Sequence, residues 1–458
     1  MNLQVEDAPQ ASQNFLKRLN AAFDRHFHYS ERGSTFWTEV LGGVTTFSTL
    51  SYVLVVHPLI LSEAGMDRGA LISVTALAAA IFSAIIGLWT NYPLAMAPGM
   101  GVNAYIAVQV CLGMHIPWQA ALGMVFYSGL LFLFISVTGI RRKMMDSFPA
   151  SFKKTISAGI GLFIAFIGLK NANIIVSNPH SIVSLGDFSS PKVLLGFIGI
   201  LFTIILVNRG VRGALILSIL AITLAGMLIP GAAQGSRITP LPHQLFGWPH
   251  SIAPTFLKLD LLYPLRHPVQ CIPIVFAVLF SDLFSAMGVL MAVGFRAHLN
   301  DEDGNLPRLR QALSADAAAC SGGALLGTTT TVIYLESAAG VEQGSRTGLT
   351  SIVVSACCLV ALFFTPIIAI VPPVATTPSL VMIGIFMMEG FASLDLHDGV
   401  VAATALVTTM LTLLASVSDG VALGFITNIL LLTGLGRSRQ VKPLAYVLAA
   451  ILLLHYIL

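Results

Sequence analysis

Charge is what this sequence has least of. Only 10% of its 458 residues are Asp, Glu, Lys or Arg, against about a quarter in an average soluble domain, and 56% are hydrophobic. So little polar surface excludes a soluble globular protein. The net charge of +3 is too small, and its basic residues too confined to turns, for nucleic-acid binding. Cysteine is also scarce: Cys111, Cys271, Cys320, Cys357 and Cys358 all fall inside apolar runs without ligand-like spacing, so neither a metal site nor a disulfide framework is expected. No glycine-rich phosphate loop, metal-ligand cluster or nucleophile elbow is present, which argues against an enzyme. Met1 to Gly33 is polar and has no apolar core of the signal-peptide kind, so the first span itself is expected to direct insertion.

Present instead are uncharged runs of the length that crosses a bilayer as helix, about 17 to 25 residues. They cover roughly Thr38 to Ser62, Gly69 to Thr90, Pro93 to Tyr105 and beyond, Pro117 to Gly139, Thr155 to Leu169, Val193 to Val207 and Ala214 to Pro230. A polar connection rich in proline and glycine, 231–267, follows and marks a seam. The second set runs Val269 to Phe295, Ala312 to Gly327, Thr328 to Gly340, Thr347 to Val371, Val374 to Met388, Gly399 to Ser418 and Gly420 to Gly436. Pro443 to Leu458 is either an extra span or a helix lying in the interface. The expected fold is therefore an all-α polytopic membrane protein of 14 transmembrane segments, seven in 34–230 and seven in 268–436, with a tail at 1–33 and a hydrophobic segment at 437–458. Basic turns at 141–154, 209–212, 296–310, 346 and 437–442 share the side of the N-terminal tail, which the positive-inside rule makes cytoplasmic and leaves 231–267 outside. Seven is odd, so the second half enters from the opposite side, as an inverted repeat requires.

Two runs cannot be plain helices. Pro93 to Tyr105 packs two prolines and several glycines ahead of Asn103, and Thr328 to Gly340 opens with four threonines that follow Gly322, Gly323 and Gly327. They occupy the third and tenth positions, one in each half, and corresponding breaks of this kind point to a transporter's binding site. The tenth carries a carboxylate, Glu336, after a long uncharged run, and an ionisable residue at membrane depth is a functional candidate by default.

The residues at these positions carry a family resemblance. Glu39-Val-Leu-Gly-Gly-Val-Thr-Thr-Phe with Tyr52, Ala97-Pro-Gly-Met-Gly-Val-Asn-Ala-Tyr105, Gly159 to Asn171, Asp282-Leu-Phe, Tyr334-Leu-Glu-Ser-Ala-Ala-Gly340 and Gly344 to Thr350 stand in the order found in the nucleobase–cation symporter 2 superfamily. Within it the chain resembles the bacterial and fungal purine permeases for adenine, guanine and hypoxanthine. The resemblance implies a core domain (spans 1 to 4 and 8 to 11) that carries the base, a gate domain (5 to 7 and 12 to 14), and a homodimer. It also implies import of a purine nucleobase by proton symport, with the proton gradient as energy source and no cofactor. Two positions depart from the family pattern: Ser285 stands where a second aspartate usually follows Asp-Leu-Phe, and His57 where asparagine usually precedes the first-span proline. Lys170-Asn171 and Asp187 to Ser190 look closer to the adenine branch, which makes adenine the preferred substrate expectation.

A purine presents N–H donors, ring-nitrogen acceptors and a flat face, so its site needs a carboxylate or amide, a donor and an apolar or aromatic wall. Glu336 is the expected acceptor, with Asn103 at a base edge, bonded to Glu336 across the breaks, or a plain helix cap. Asp282 and Ser285, three residues apart, are read as sharing a helix face; Ser285 is a base contact, and Asp282 either a proton carrier or a fixed partner for backbone and hydroxyl groups. His57 either takes part of the coupling role or is a histidine hydrogen-bonded in the bundle interior. Glu336, Asp282 and His57 are thus the proton-coupling candidates, and Phe284, Tyr105 and Tyr334 the stacking candidates. Arg346 is read as an anchor for its turn and Lys170 as an interfacial lysine. The alternatives are an uncoupled nucleobase facilitator or a carrier of another solute or anion on the same scaffold; no basic residue beside the breaks supports the anion version.

Overall fold

The computed structural model describes residues 21, 23–138, 149–178, 182–211, 213–230, 237–241, 244, 246–299, 306–415 and 417–457. Arg141, Arg142, Lys143, Arg212, Asp301, Glu302, Asp303 and the side chain of Phe284 lie outside the described residues. The described residues are mostly helical, with two short two-stranded ladders, and the chain divides into seven spans and seven. Among the described residues eight helices are long and apolar enough to cross a membrane, including Phe36–Glu63, Arg68–Thr90, Trp118–Thr138 and Gly348–Ala369. Four apolar helices are shorter, and the tenth span is a strand followed by the helix Ser337–Glu342.

Inversion is visible in which spans pack together. The second span lies along the eleventh and the ninth along the fourth; the first contacts the eleventh and the eighth the fourth. Exchanging the halves turns each pair into the other, as an inverted repeat demands. In the same way the fifth packs on the thirteenth and the twelfth on the sixth, which assembles the gate domain apart from the core domain.

Close helix contacts explain several glycines. A Cβ on Gly340 would meet Thr46 Oγ1 and the Gly42 carbonyl, and one on Gly348 would strike the Gly87 backbone, so these positions set how near the first, second, tenth and eleventh spans lie. Gly42 and Gly43 therefore do not break the first span. It divides instead between Phe36–Leu50 and Val53–Glu63, and Pro58 is accommodated inside the second of these helices. At the break Ser51 N–H still bonds the Phe47 carbonyl at 2.8 Å and Ser51 Oγ the Ser48 carbonyl at 3.0 Å, which satisfies part of the backbone there.

The third and tenth spans meet as strands. Met96, Ala97 and Pro98 pair antiparallel with Ile333, Val332 and Thr331, extended by Gly99 N–H to the Thr330 carbonyl (2.7 Å) and Tyr334 N–H to the Ala95 carbonyl (3.0 Å). Extended chain at membrane depth must satisfy its own donors, and each break does so through the other. The helices Met100–Ala104 and Ser337–Glu342 then leave this ladder. In the third span the helix widens over Tyr105–Gly113 into i to i+5 bonding, a geometry frequent at functional sites.

Candidate functional site at the paired breaks

Glu336 is the last residue before the tenth-span helix, and its side chain does not cap that helix. It accepts instead from the Tyr52 hydroxyl at 2.8 Å, so the break in the first span delivers a donor to the break in the tenth. Glu336 remains partly accessible, and its neighbour Leu335 is exposed. A hydrogen bond to a carboxylate contributes about 1.5 to 3 kcal/mol, and this one fixes the acceptor's direction.

Asn103 is fully buried and does not reach Glu336. Its Nδ2 donates to the His57 carbonyl at 3.4 Å, while its Oδ1 has no partner among the described residues. His57, equally buried, bonds Thr328 Oγ1 through Nε2 at 2.6 Å and leaves Nδ1 unpaired among the described residues. Tyr334 is held by its hydroxyl on the Pro98 carbonyl, which ties the two strands together and turns its ring into the core. Tyr105 is buried as well.

Asp282 and Ser285 part company on the eighth span. The Asp282 carboxylate is buried, accepting from Thr330 Oγ1 at 3.4 Å and Cys320 Sγ at 3.6 Å, whereas Ser285 is exposed and forms no bond with Glu336 among the described residues. Three residues along a helix turn the side chain by about 60° from alignment, and the boundary of the core passes between them. Ser281, Ser285 and Gly288 form a small-residue face that is open or half-open.

Two further carboxylates received no role from sequence reasoning. Asp316, in the ninth span, is fully buried; its Oδ1 accepts from Ile333 N–H at 2.9 Å and its Oδ2 has no partner among the described residues. It sits one turn before Cys320, which contacts Asp282, so Asp282, Asp316, Cys320 and Thr330 form a polar cluster behind the tenth-span strand. The signal available was a lone acid in a helix whose one other charge, Arg310, lies in its first turn, much the signal that singled out Glu336. Glu39 in the first span is different. Its carboxylate accepts from Arg346 N–H (2.8 Å), Thr347 N–H (3.2 Å) and Thr350 Oγ1 (2.6 Å), which satisfies the free donors at the start of the eleventh span. Arg346 in turn donates to the Val341 and Ser345 carbonyls and closes that turn.

The arrangement offers a directed, partly accessible carboxylate at a helix break, hydrogen-bonding atoms on the buried His57 and Asn103 that are unpaired among the described residues, and a buried acid pair behind the tenth-span strand. Comparison with known proteins agrees on the class. A family profile described as Permease family matches residues 38–434. A guanine/hypoxanthine permease of Bacillus subtilis is 37% identical over 441 residues, covering 94% of this chain and 98% of that one. An adenine permease of Escherichia coli is 35% identical over 435 residues, covering 95% and 96%. The transmembrane domain of a cyanobacterium bicarbonate transporter superposes with a TM-score of 0.61 at 14% identity, over 84% of this chain and 97% of that one, a likeness of fold. With its two broken spans paired and this family match along nearly its whole length, the chain belongs to the permease family, in the purine permease branch of the nucleobase–cation symporter 2 superfamily.

Proposed function

We propose that the protein is a secondary active importer of purine nucleobases coupled to protons, working in the cell membrane with its N-terminus cytoplasmic and, as a dimer, with each core domain moving against its gate domain. One observation carries this reading: Glu336, partly accessible and aimed by Tyr52, stands where two broken spans meet. Its carboxylate accepts from a purine N–H, Asn103 and His57 lend their unpaired atoms to the site, and the exposed Ser285 face borders it from the eighth span. Glu336 and Asp282 carry the proton: Asp282 is buried, Glu336 is partly accessible at the break, and neither has a basic ion-pair partner among the described residues. Nearly equal identity to guanine/hypoxanthine and adenine permeases supports the purine class. Lys170-Asn171 and Asp187 to Ser190 favour adenine within it.

The serine at 285, which cannot ionise, supports one rival: an uncoupled facilitator with the same site. Proteoliposomes separate the two. Adenine uptake is expected to alkalinise the external medium and to be driven by an imposed inward proton gradient; uptake with no proton movement contradicts symport and favours the facilitator.

A further inference from the structure

Away from the paired breaks, the core domain contains a cavity of about 400 Å³ walled by Arg32, Tyr92, His298, Arg308 and Arg346, with Glu31 at its edge. None of Tyr52, Asp282 or Glu336 lines it. Its walls come from residues just before the first, ninth and eleventh spans and just after the second and eighth, so both repeats contribute and one face of the core domain holds all of it.

Among the described residues the three arginines are fixed by carbonyls and none is ion-paired. Arg32 Nη1 donates to the Asn91 and Arg346 carbonyls (2.7 and 3.0 Å), Arg308 Nη1 to the Thr90 carbonyl (3.1 Å), and Arg346 Nη1 to the Val341 and Ser345 carbonyls (2.8 and 2.7 Å). Carbonyl bonds orient a guanidinium without cancelling its charge, and a guanidinium has five N–H donors, more than these carbonyls use. Among the described residues the ion pairs are His28 with Glu31, Arg296 with Glu342 and Arg437 with Asp398, and none involves these three arginines. Glu31 bonds His28 and Glu39 accepts from backbone and Thr350, and both act on Arg32 as opposite charges without forming an ion pair with it among the described residues. Burial first, and then the adjacent Arg308, pull the Arg32 guanidinium below its ordinary value. Like charges held this close by backbone bonds call for a counter-ion, and rigid guanidinium forks match the oxygens of a phosphate. The space exceeds what inorganic phosphate fills and lies in the range of small-molecule sites, about 300 to 1,000 Å³, with Tyr92, Leu299 and Pro307 offering apolar surface for an organic group.

We propose that this cavity is a binding site for a phosphate-bearing organic anion, held by Arg32, Arg308 and Arg346. Such a ligand joins elements of both repeats on one face of the core domain. The shared chemistry has two sources, a soluble nucleoside monophosphate or the headgroup of an anionic phospholipid, and one experiment distinguishes them. The purified full chain in detergent is melted with adenosine monophosphate, inorganic phosphate, phosphatidylglycerol or phosphatidylcholine, each against chloride at matched ionic strength. A saturable rise in Tm is expected from adenosine monophosphate or from phosphatidylglycerol, with none from phosphatidylcholine. A rise with adenosine monophosphate assigns the soluble source, and a rise with phosphatidylglycerol alone assigns the lipid. Arg308→Gln is expected to weaken the effective ligand about tenfold or more, the loss of one charge-assisted bond. Arg308 also braces Thr90, so Pro307→Glu, at an exposed lining position, serves as a second variant. Its carboxylate supplies an internal counter-ion, and the ligand-induced shift is expected to vanish while the ligand-free Tm is maintained or rises. No shift with any phosphate-bearing compound, or an undiminished shift in the folded variants, overturns the proposal.

Discussion

The third and tenth spans are built alike and equipped differently. Each runs strand, break and short helix, and each satisfies the other's backbone across the ladder from Met96–Pro98 to Thr331–Ile333. At the third-span break the polar residue is an amide, Asn103, buried and turned toward the His57 carbonyl. At the tenth it is a carboxylate, Glu336, partly open and addressed by Tyr52, with Asp282 and Asp316 behind its strand. The inverted repeat thus supplies one geometry twice, and ionisable chemistry was added to one copy only. Two carboxylates of the core domain differ by the same test: buried Glu39 has its two oxygens engaged by three donors and serves as a cap, while partly open Glu336 receives one side-chain donor.

That asymmetry can be broken experimentally. Glu336→Gln is expected to lower purine uptake by about a hundredfold or more, the equivalent of about 2.7 kcal/mol, with Tm within a few degrees of wild type. Glu39→Gln is expected to act the other way, costing about 1 to 3 kcal/mol of stability because a buried cap loses a charged acceptor; its Tm falls, and whatever folds transports with unchanged KM. Tyr52→Phe removes the hydroxyl that aims Glu336, so KM for uptake is expected to rise about tenfold while expression is unaltered. Asn103→Ala is expected to weaken uptake less, by about three- to tenfold, since its amide braces the first span as much as it serves the site. Smallest is Ser285→Asp: a new carboxylate on an exposed face costs little stability, and a changed number of protons per purine in the liposome assay would mark Ser285 as facing the transport path.

Much of this contrast was legible in the chain. Proline and glycine before Asn103, and threonine after glycine before Glu336, mark both breaks because neither stretch can propagate a helix. The all-helical expectation missed two short ladders, Ile175–Asn178 with Ile182–Leu185 and the one by which the breaks satisfy each other; pairing between segments more than 230 residues apart leaves no local pattern. The same distance hid the bond from Tyr52 to Glu336. Close helix packing and helix breaking both ask for glycine, and at Gly42 and Gly43 only the neighbours Ser345 and Val353 tell which applies. Asp282 and Ser285 were expected on one face; a 60° difference, about one-sixth of a turn, is enough to bury one and expose the other.

The claim that the tenth-span break holds the base is tested most directly by binding, without transport. Calorimetric titration of adenine, guanine and hypoxanthine into the purified protein is expected to show saturable binding of at least one purine in wild type, weaker binding in Asn103→Ala, and none in folded Glu336→Gln. Wild-type affinity retained in Glu336→Gln would contradict the account.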